Sequence, residues 1–164
     1  MARGQNANDV EINMPVERSA GVIIFRNTPH GRKYLVLRSS RSQSQIAEKK
    51  FIKEFWDFPK GRLEPGEKGL DGALRELQEE AGIEKVEIDP TFKATVRYFT
   101  RRDGKPIPKF VAMFLGSVSS DRITLSWEHD VYLWLHYKEA HACLTLVPMK
   151  QALVRAEEFL KDTI

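Results

Sequence analysis

The chain has 164 residues, 26 Lys plus Arg against 23 Asp plus Glu, and a formal charge of +3. That length suits one domain with its own core, and a net charge this small does not by itself argue for nucleic acid. Cys143 is the only cysteine, which excludes an internal disulfide framework or a cysteine-based metal site. No apolar run approaches the ~18 residues of a membrane helix, and the polar start MARGQNANDVEINMP lacks a signal-peptide core. A cytoplasmic protein is therefore expected, with residues 1–16 as a mobile tail and 17–164 as the single domain.

In chain order, SAGVIIFR (Ser19–Arg26) is β-branched and apolar and predicts a buried strand. NTPHGR is a turn, and KYLVLRS (Lys33–Ser39) is the returning strand of a hairpin. Ser40–Lys50 is polar and reads as a loop. Phe51–Pro59 reads as a short strand closed by its proline, and KGRLEPGEKG as a glycine- and proline-rich loop. Leu70, Ala73, Leu74, Leu77 and Ala81 then recur at helical spacing, one apolar stripe facing a sheet, and Gly82 stops the helix. Strands follow at Thr91–Arg102 and Lys109–Ser117, joined by the turn RRDGKPIP. Val131–His136 is a further strand, Tyr137–Leu144 a brief helix, and Met149, Ala152, Leu153, Ala156, Phe159 and Leu160 mark a C-terminal amphipathic helix. This order predicts an α/β protein with a mixed sheet between helices.

RELQEE (75–80) is the densest run of carboxylate. Glu76, Glu79 and Glu80 are related by i, i+3 and i+4 and repel one another on one helix stripe. Alone, the run reads either as a solvated acidic face or as a seat for a hard divalent cation, Mg²⁺ or Mn²⁺, which prefers oxygen ligands.

The wider stretch GRLEPGEKGLDGALRELQEEAGI (61–83) resembles the Nudix box. Gly61, Glu67, Arg75, Glu76, Leu77, Glu79, Glu80, Gly82 and Ile83 stand at its fixed positions without departure. The resemblance implies a Nudix-type α/β/α sandwich and hydrolysis of a pyrophosphate bond in a nucleoside polyphosphate with Mg²⁺ or Mn²⁺. It implies Glu76 and Glu80 as metal ligands, Glu79 as ligand or base, and the Gly61 carbonyl as a further ligand. Arg75 orients the glutamates and pairs with Glu67, while Leu77 and Ile83 belong to the core. Beyond the box, Glu128 in SWEHDVYLWL is weighed equally as ligand or general base and as a plain loop acid. His129 and Asp130 read more simply as surface residues than as assistants.

WDFPKGRLEPGE (56–67), SWEHDVYLWL and PMKQALVRAEEFL together resemble the asymmetric dinucleoside tetraphosphate hydrolases, which cut diadenosine tetraphosphate into ATP and AMP. By that resemblance Lys60 and Lys109 contact phosphate and His129 adjoins the substrate. Two positions depart from the group: Arg62 stands where histidine is usual, and Phe55 where some members have histidine. Arg62 still offers phosphate its planar fork. For stacking a base, Tyr98 or Phe99 offers one face, but not both, because neighbouring strand residues point oppositely. Tyr137 is the nearest substitute for a second aromatic. RNA 5′-triphosphate or cap hydrolysis is a second reading, with Arg97, Arg101, Arg102 and Lys105 either tracking a backbone or forming a solvated hairpin tip. Nucleotide-pool cleaning, diphosphoinositol cleavage and a catalytically inactive binding module are further alternatives.

Overall fold

The computed structural model describes residues 15–40 and 54–162. Most of the expected tail, the loop 41–50 and residues 51–53 of the expected aromatic strand lie outside the described residues. Among the described residues, eight strands and three helices follow one another: β1 (Glu17–Thr28), β2 (Gly31–Ser39), β3 (Trp56–Asp57), β4 (Lys60–Arg62), α1 (Gly69–Ala81), β5 (Glu87–Ile88), β6 (Ala94–Arg102), β7 (Lys105–Ser117), β8 (His129–Leu135), α2 (Tyr137–Cys143) and α3 (Val147–Asp162). All the strands join one mixed sheet. β1 runs antiparallel to β2 and parallel to β7, while β8 lies on the outer side of β2.

The sheet opens at one end. β1 and β2 pair directly only from Phe25–Tyr34 to Thr28–Gly31. Beyond that they diverge, and β3 and β4 fill the gap, β3 on β2 and β4 on β1. Residue 21 must be small for this wedge to seat: a Cβ on Gly21 would lie 2.4 Å from the Pro59 carbonyl oxygen. The expected 60–69 loop therefore begins as a strand. Its pairing is made by backbone to a strand 40 residues away in sequence, and no local pattern announces it.

Alternation along β1 and β7 sorts the core into two layers. Ile23, Val111, Met113 and Leu115 face α2 and α3, where Met149, Leu153 and Ala156 complete one cluster. Ala20, Val22 and Ile24 face α1 through Ala73, Leu77 and Ala81. The expected sandwich is thus what the chain adopts. α1 ends as expected, with Gly82 at φ 68° in the left-handed region. Its inward face differs from expectation. Gly72, Ala73, Leu77, Glu80 and Ala81 are buried, whereas Leu70 in the first turn is exposed. Small residues carry the helix close to the sheet, and a carboxylate rather than Leu70 goes inward.

The hairpin between β6 and β7 is longer than the sequence suggested. It turns at Asp103 and Gly104 (φ 52° and 75°), so Lys105–Pro108 belong to β7. Pro106 and Pro108 sit where β7 has β6 on one side only and at alternate registers, so their missing N–H groups face the open side and remove no ladder bond. Among the described residues, no helix is long and apolar enough to cross a membrane.

Candidate active site

A cleft of about 440 Å³ opens where β1 and β2 part. The wedge supplies Asp57, Phe58, Lys60, Gly61 and Arg62, and α1 supplies Glu76, Glu79 and Glu80. Glu17 from the start of β1, Lys109 from within β7, and Glu128 and His129 from the start of β8 also reach it, beside Ser39 and Phe55.

One wall is acidic. Glu80 is only 6% exposed, and its carboxylate accepts the Lys60 backbone N–H at 3.0 Å. Burial pushes its carboxyl up to about 8; Glu76 and Glu128 add to the rise and Lys60 opposes it. Burial likewise raises Glu76, partly offset by Arg75. Glu79 is the more exposed of the three. The close approach of β4 to this wall requires glycine: a Cβ on Gly61 would lie 2.1 Å from the Glu76 carboxyl carbon.

Arg75 braces the wall from behind. Nε and Nη2 bind both oxygens of Glu67 at 2.9 Å, Nη1 reaches Glu76 at 3.0 Å and Glu79 at 3.2 Å, and Nη2 also donates to the Arg62 carbonyl at 3.0 Å. A planar guanidinium with five N–H donors can serve all four groups at once. The expected Arg75–Glu67 pair is therefore present, and Arg75 acts through its partners rather than lining the cleft.

The facing wall is cationic. Lys60 Nζ lies 3.3 Å from the buried Asp57 carboxylate. Burial would pull the Lys60 ammonium down, but Asp57 and the Tyr98 hydroxyl outweigh it and hold it protonated. Burial lowers Lys109 to about 8, and the Lys60 charge contributes to that fall. Arg62 is ion-paired to Glu17. Burial lowers His129, whose Nδ1 is enclosed without a hydrogen-bond partner.

Lys60, Arg62, Lys109, Glu128 and His129 thus line the cleft with the box glutamates, and three other expectations are corrected. Tyr98 stands behind the lysines, with Lys109 Nζ 5.7 Å from its ring centroid, and does not line the cleft. Phe99 points to the opposite face of the sheet and is 64% exposed. Tyr137 follows the far end of β8, roughly 20 Å of strand away from His129. Asp130, entertained as an assistant, bonds Arg38 at 2.9 Å instead. Sequence reasoning missed Asp57 and Glu17. The signal for Asp57 was an acid inside an aromatic strand with Lys60 three residues on.

The donor set fits a hard divalent cation. It offers carboxylate oxygens and one glycine carbonyl, and Glu80 is buried beside other acids that it repels. Among the described residues, no three acidic, histidine or cysteine side chains are already drawn into a ligand cluster.

Comparison with known proteins identifies the family. The NUDIX domain family model matches residues 15–156, and the chain belongs to the Nudix family. It is 33% identical over 152 residues to the asymmetrical bis(5′-nucleosyl)-tetraphosphatase of Mus musculus, covering 89% of this chain and 97% of that protein. A solved Caenorhabditis elegans Ap4A hydrolase in a binary complex superposes with a TM-score of 0.73 at 28% identity, covering 89% of this chain and 98% of the other. An RNA pyrophosphohydrolase from Bartonella bacilliformis is 32% identical over 75 residues, covering 46% of this chain and 41% of its own. The resemblance to dinucleoside tetraphosphate hydrolases read from the sequence is borne out by these relatives.

Proposed function

We propose that this chain hydrolyses a pyrophosphate bond of a nucleoside polyphosphate, and that its substrate is diadenosine tetraphosphate, cut with one water into ATP and AMP. The observation that carries the reading is the facing of two walls: lysines 60 and 109 on one side, glutamates 76, 79 and 80 on the other. A polyphosphate needs cations on every side, and only one wall has them in the protein itself. Mg²⁺ or Mn²⁺, held by Glu76, Glu80, the Gly61 carbonyl and Glu79, would supply the missing charge and activate the attacking water.

The protein's own groups do the rest. Lys60, kept charged by Asp57, and Lys109 bind phosphate oxygens and stabilise negative charge on the departing phosphate. Arg62 and His129 border the same space. Glu128, on the turn before β8, takes the proton of the water. Arg75 aligns the glutamates and touches no substrate. Residues 17–164 act as one domain in the cytoplasm.

Whole-chain similarity favours the dinucleotide over RNA, because the Mus musculus relative is matched over 97% of its length and the Bartonella bacilliformis RNA enzyme over 41%. The test is incubation with diadenosine tetraphosphate and Mg²⁺ or Mn²⁺ in ¹⁸O-water. Equal ATP and AMP, with label in one of them, is the expected result. Two equivalents of ADP, or no turnover with saturating metal, would overturn the reading.

A further inference from the structure

The sheet face beyond the start of α1 carries a basic and aromatic ladder that the proposed hydrolysis does not use. Directly paired residues share a face, and the registers place Arg18, Phe110 and Arg97 in one row across β1, β7 and β6. Phe99 and Arg101 continue the row along β6, opposite Pro108 and Pro106. The Arg97 guanidinium lies 5.6 Å from the Phe99 ring centroid and 5.7 Å from that of Phe110, and Arg18 covers the Phe110 ring at 5.7 Å. None of these paired positions is acidic. Arg18, Arg97 and Arg101 are exposed, and Phe99 stays 64% exposed despite the arginine beside it.

We infer that this face is a binding track for a single-stranded nucleic acid. The occupant follows from the pattern. Aromatic rings and guanidinium planes stack on bases of any identity, and the same arginines neutralise phosphates. A row of arginines without a carboxylate is complementary to a polyanion. Its length argues for a chain rather than a single base: Arg97 to Arg101 spans roughly 13 Å of strand, the run of about three to four stacked nucleotides. The near end meets the cleft, since the Arg18 carbonyl accepts the Leu63 N–H at 3.0 Å and Arg62 precedes it at the cleft rim.

The test is fluorescence anisotropy of a labelled ten-nucleotide single strand, RNA and DNA in separate arms, with the full chain. Wild type is expected to bind at low salt, with the two arms showing which polymer is preferred. Arg97→Ala/Phe99→Ala is expected to weaken binding at least tenfold, and each arginine removed to lower the log–log salt slope by about 0.7. Phe99→Trp retains a stacking face and is expected to keep wild-type affinity, which separates stacking from a damaged hairpin. Turnover of diadenosine tetraphosphate by the double variant is expected to stay within twofold of wild type, so failure of the track and failure of the hydrolase reading are told apart. Absence of wild-type binding at low salt, or equal affinity of wild type and double variant, would overturn the inference and leave the ladder as a shield for the hairpin's open edge.

Discussion

The Glu80 carboxylate and the Lys60 backbone N–H meet at 3.0 Å, so a hydrogen bond from α1 to the strand wedge fixes a buried acid at the cleft wall. Glu80→Gln keeps an oxygen for that bond and loses the negative charge. Its turnover should fall by about 100-fold or more, the scale of losing a principal electrostatic contact in the reaction, while the fold is retained. Thermal melts provide a readout besides activity. A ligand at 100 times its Kd stabilises by about 2.7 kcal/mol, and the Mg²⁺-induced rise in Tm seen for wild type should be strongly reduced in the variant. Glu80→Ala should behave differently, losing a further ~1–3 kcal/mol because the Lys60 N–H is left without its partner. Wild-type turnover by Glu80→Gln would remove Glu80 from the site.

Arg75 and Glu67 form the second tie, and it predicts an acid limb in stability. Hydrogen bonds from Arg75, chiefly, hold the Glu67 carboxyl down to about 2 from an ordinary 4.5. A depressed acid stabilises the fold above its unfolded value, and that contribution is lost as pH falls from 4.5 toward 2. Wild type should therefore melt above Glu67→Gln near pH 6, and the two melting temperatures should converge as pH approaches 2. Parallel curves across that window would refute the linkage. Arg75→Lys should lower kcat more than it raises KM, because an ammonium cannot reach Glu67, Glu76, Glu79 and the Arg62 carbonyl together.

What could be read from the sequence divides along physical lines. α1 and its glutamates were legible because helical periodicity and fixed spacing are local properties, and Gly82 marks the helix end by its backbone freedom. The α/β/α layering followed from the order of apolar runs. The wedge was not legible, since β4 exists only because β1 and β2 separate and leave unpaired backbone between them. Asp57 and Glu17 were missed for the same reason: their partners Lys60 and Arg62 lie on that wedge. Phe99 and Tyr137 were aromatic in the right neighbourhood of sequence, but facing and distance along a strand are set by register. Leu70 was counted inward by its helical spacing in the apolar stripe, whereas the close approach of α1 selects small residues.

Two glycines at the cleft predict opposite outcomes for the same substitution. A Cβ on Gly21 would strike the Pro59 carbonyl at 2.4 Å and the Lys60 Cβ at 2.5 Å, where the wedge backbone has little room to yield. Gly21→Ala should cost about 1–3 kcal/mol and lower Tm by several degrees. A Cβ on Gly61 would instead strike the Glu76 carboxylate, the far end of a flexible side chain. Gly61→Ala should leave Tm within a few degrees while displacing Glu76 and lowering turnover at least tenfold, the penalty of misplacing a site group by about 1 Å. Equal losses of stability in the two variants would contradict the distinction.

Lys109 gives the substrate side its own pH signature. Burial, reinforced by the Lys60 charge, brings its ammonium down to about 8, well under an ordinary lysine at 10.5. The folded protein thus releases this proton before the unfolded chain does, and stability should rise between pH 8 and 10.5. Substrate binding runs the other way. Polyphosphate requires the charged form, so KM for diadenosine tetraphosphate should increase as pH climbs above 8 with metal kept saturating. Lys109→Arg remains protonated throughout and should flatten that rise even if its KM at pH 7 differs. Steady-state kinetics from pH 7 to 9.5 on both proteins decide the matter: a flat wild-type profile, or an unchanged slope in Lys109→Arg, would place the phosphate contact elsewhere on the cationic wall, with Lys60 as the other lysine lining the cleft.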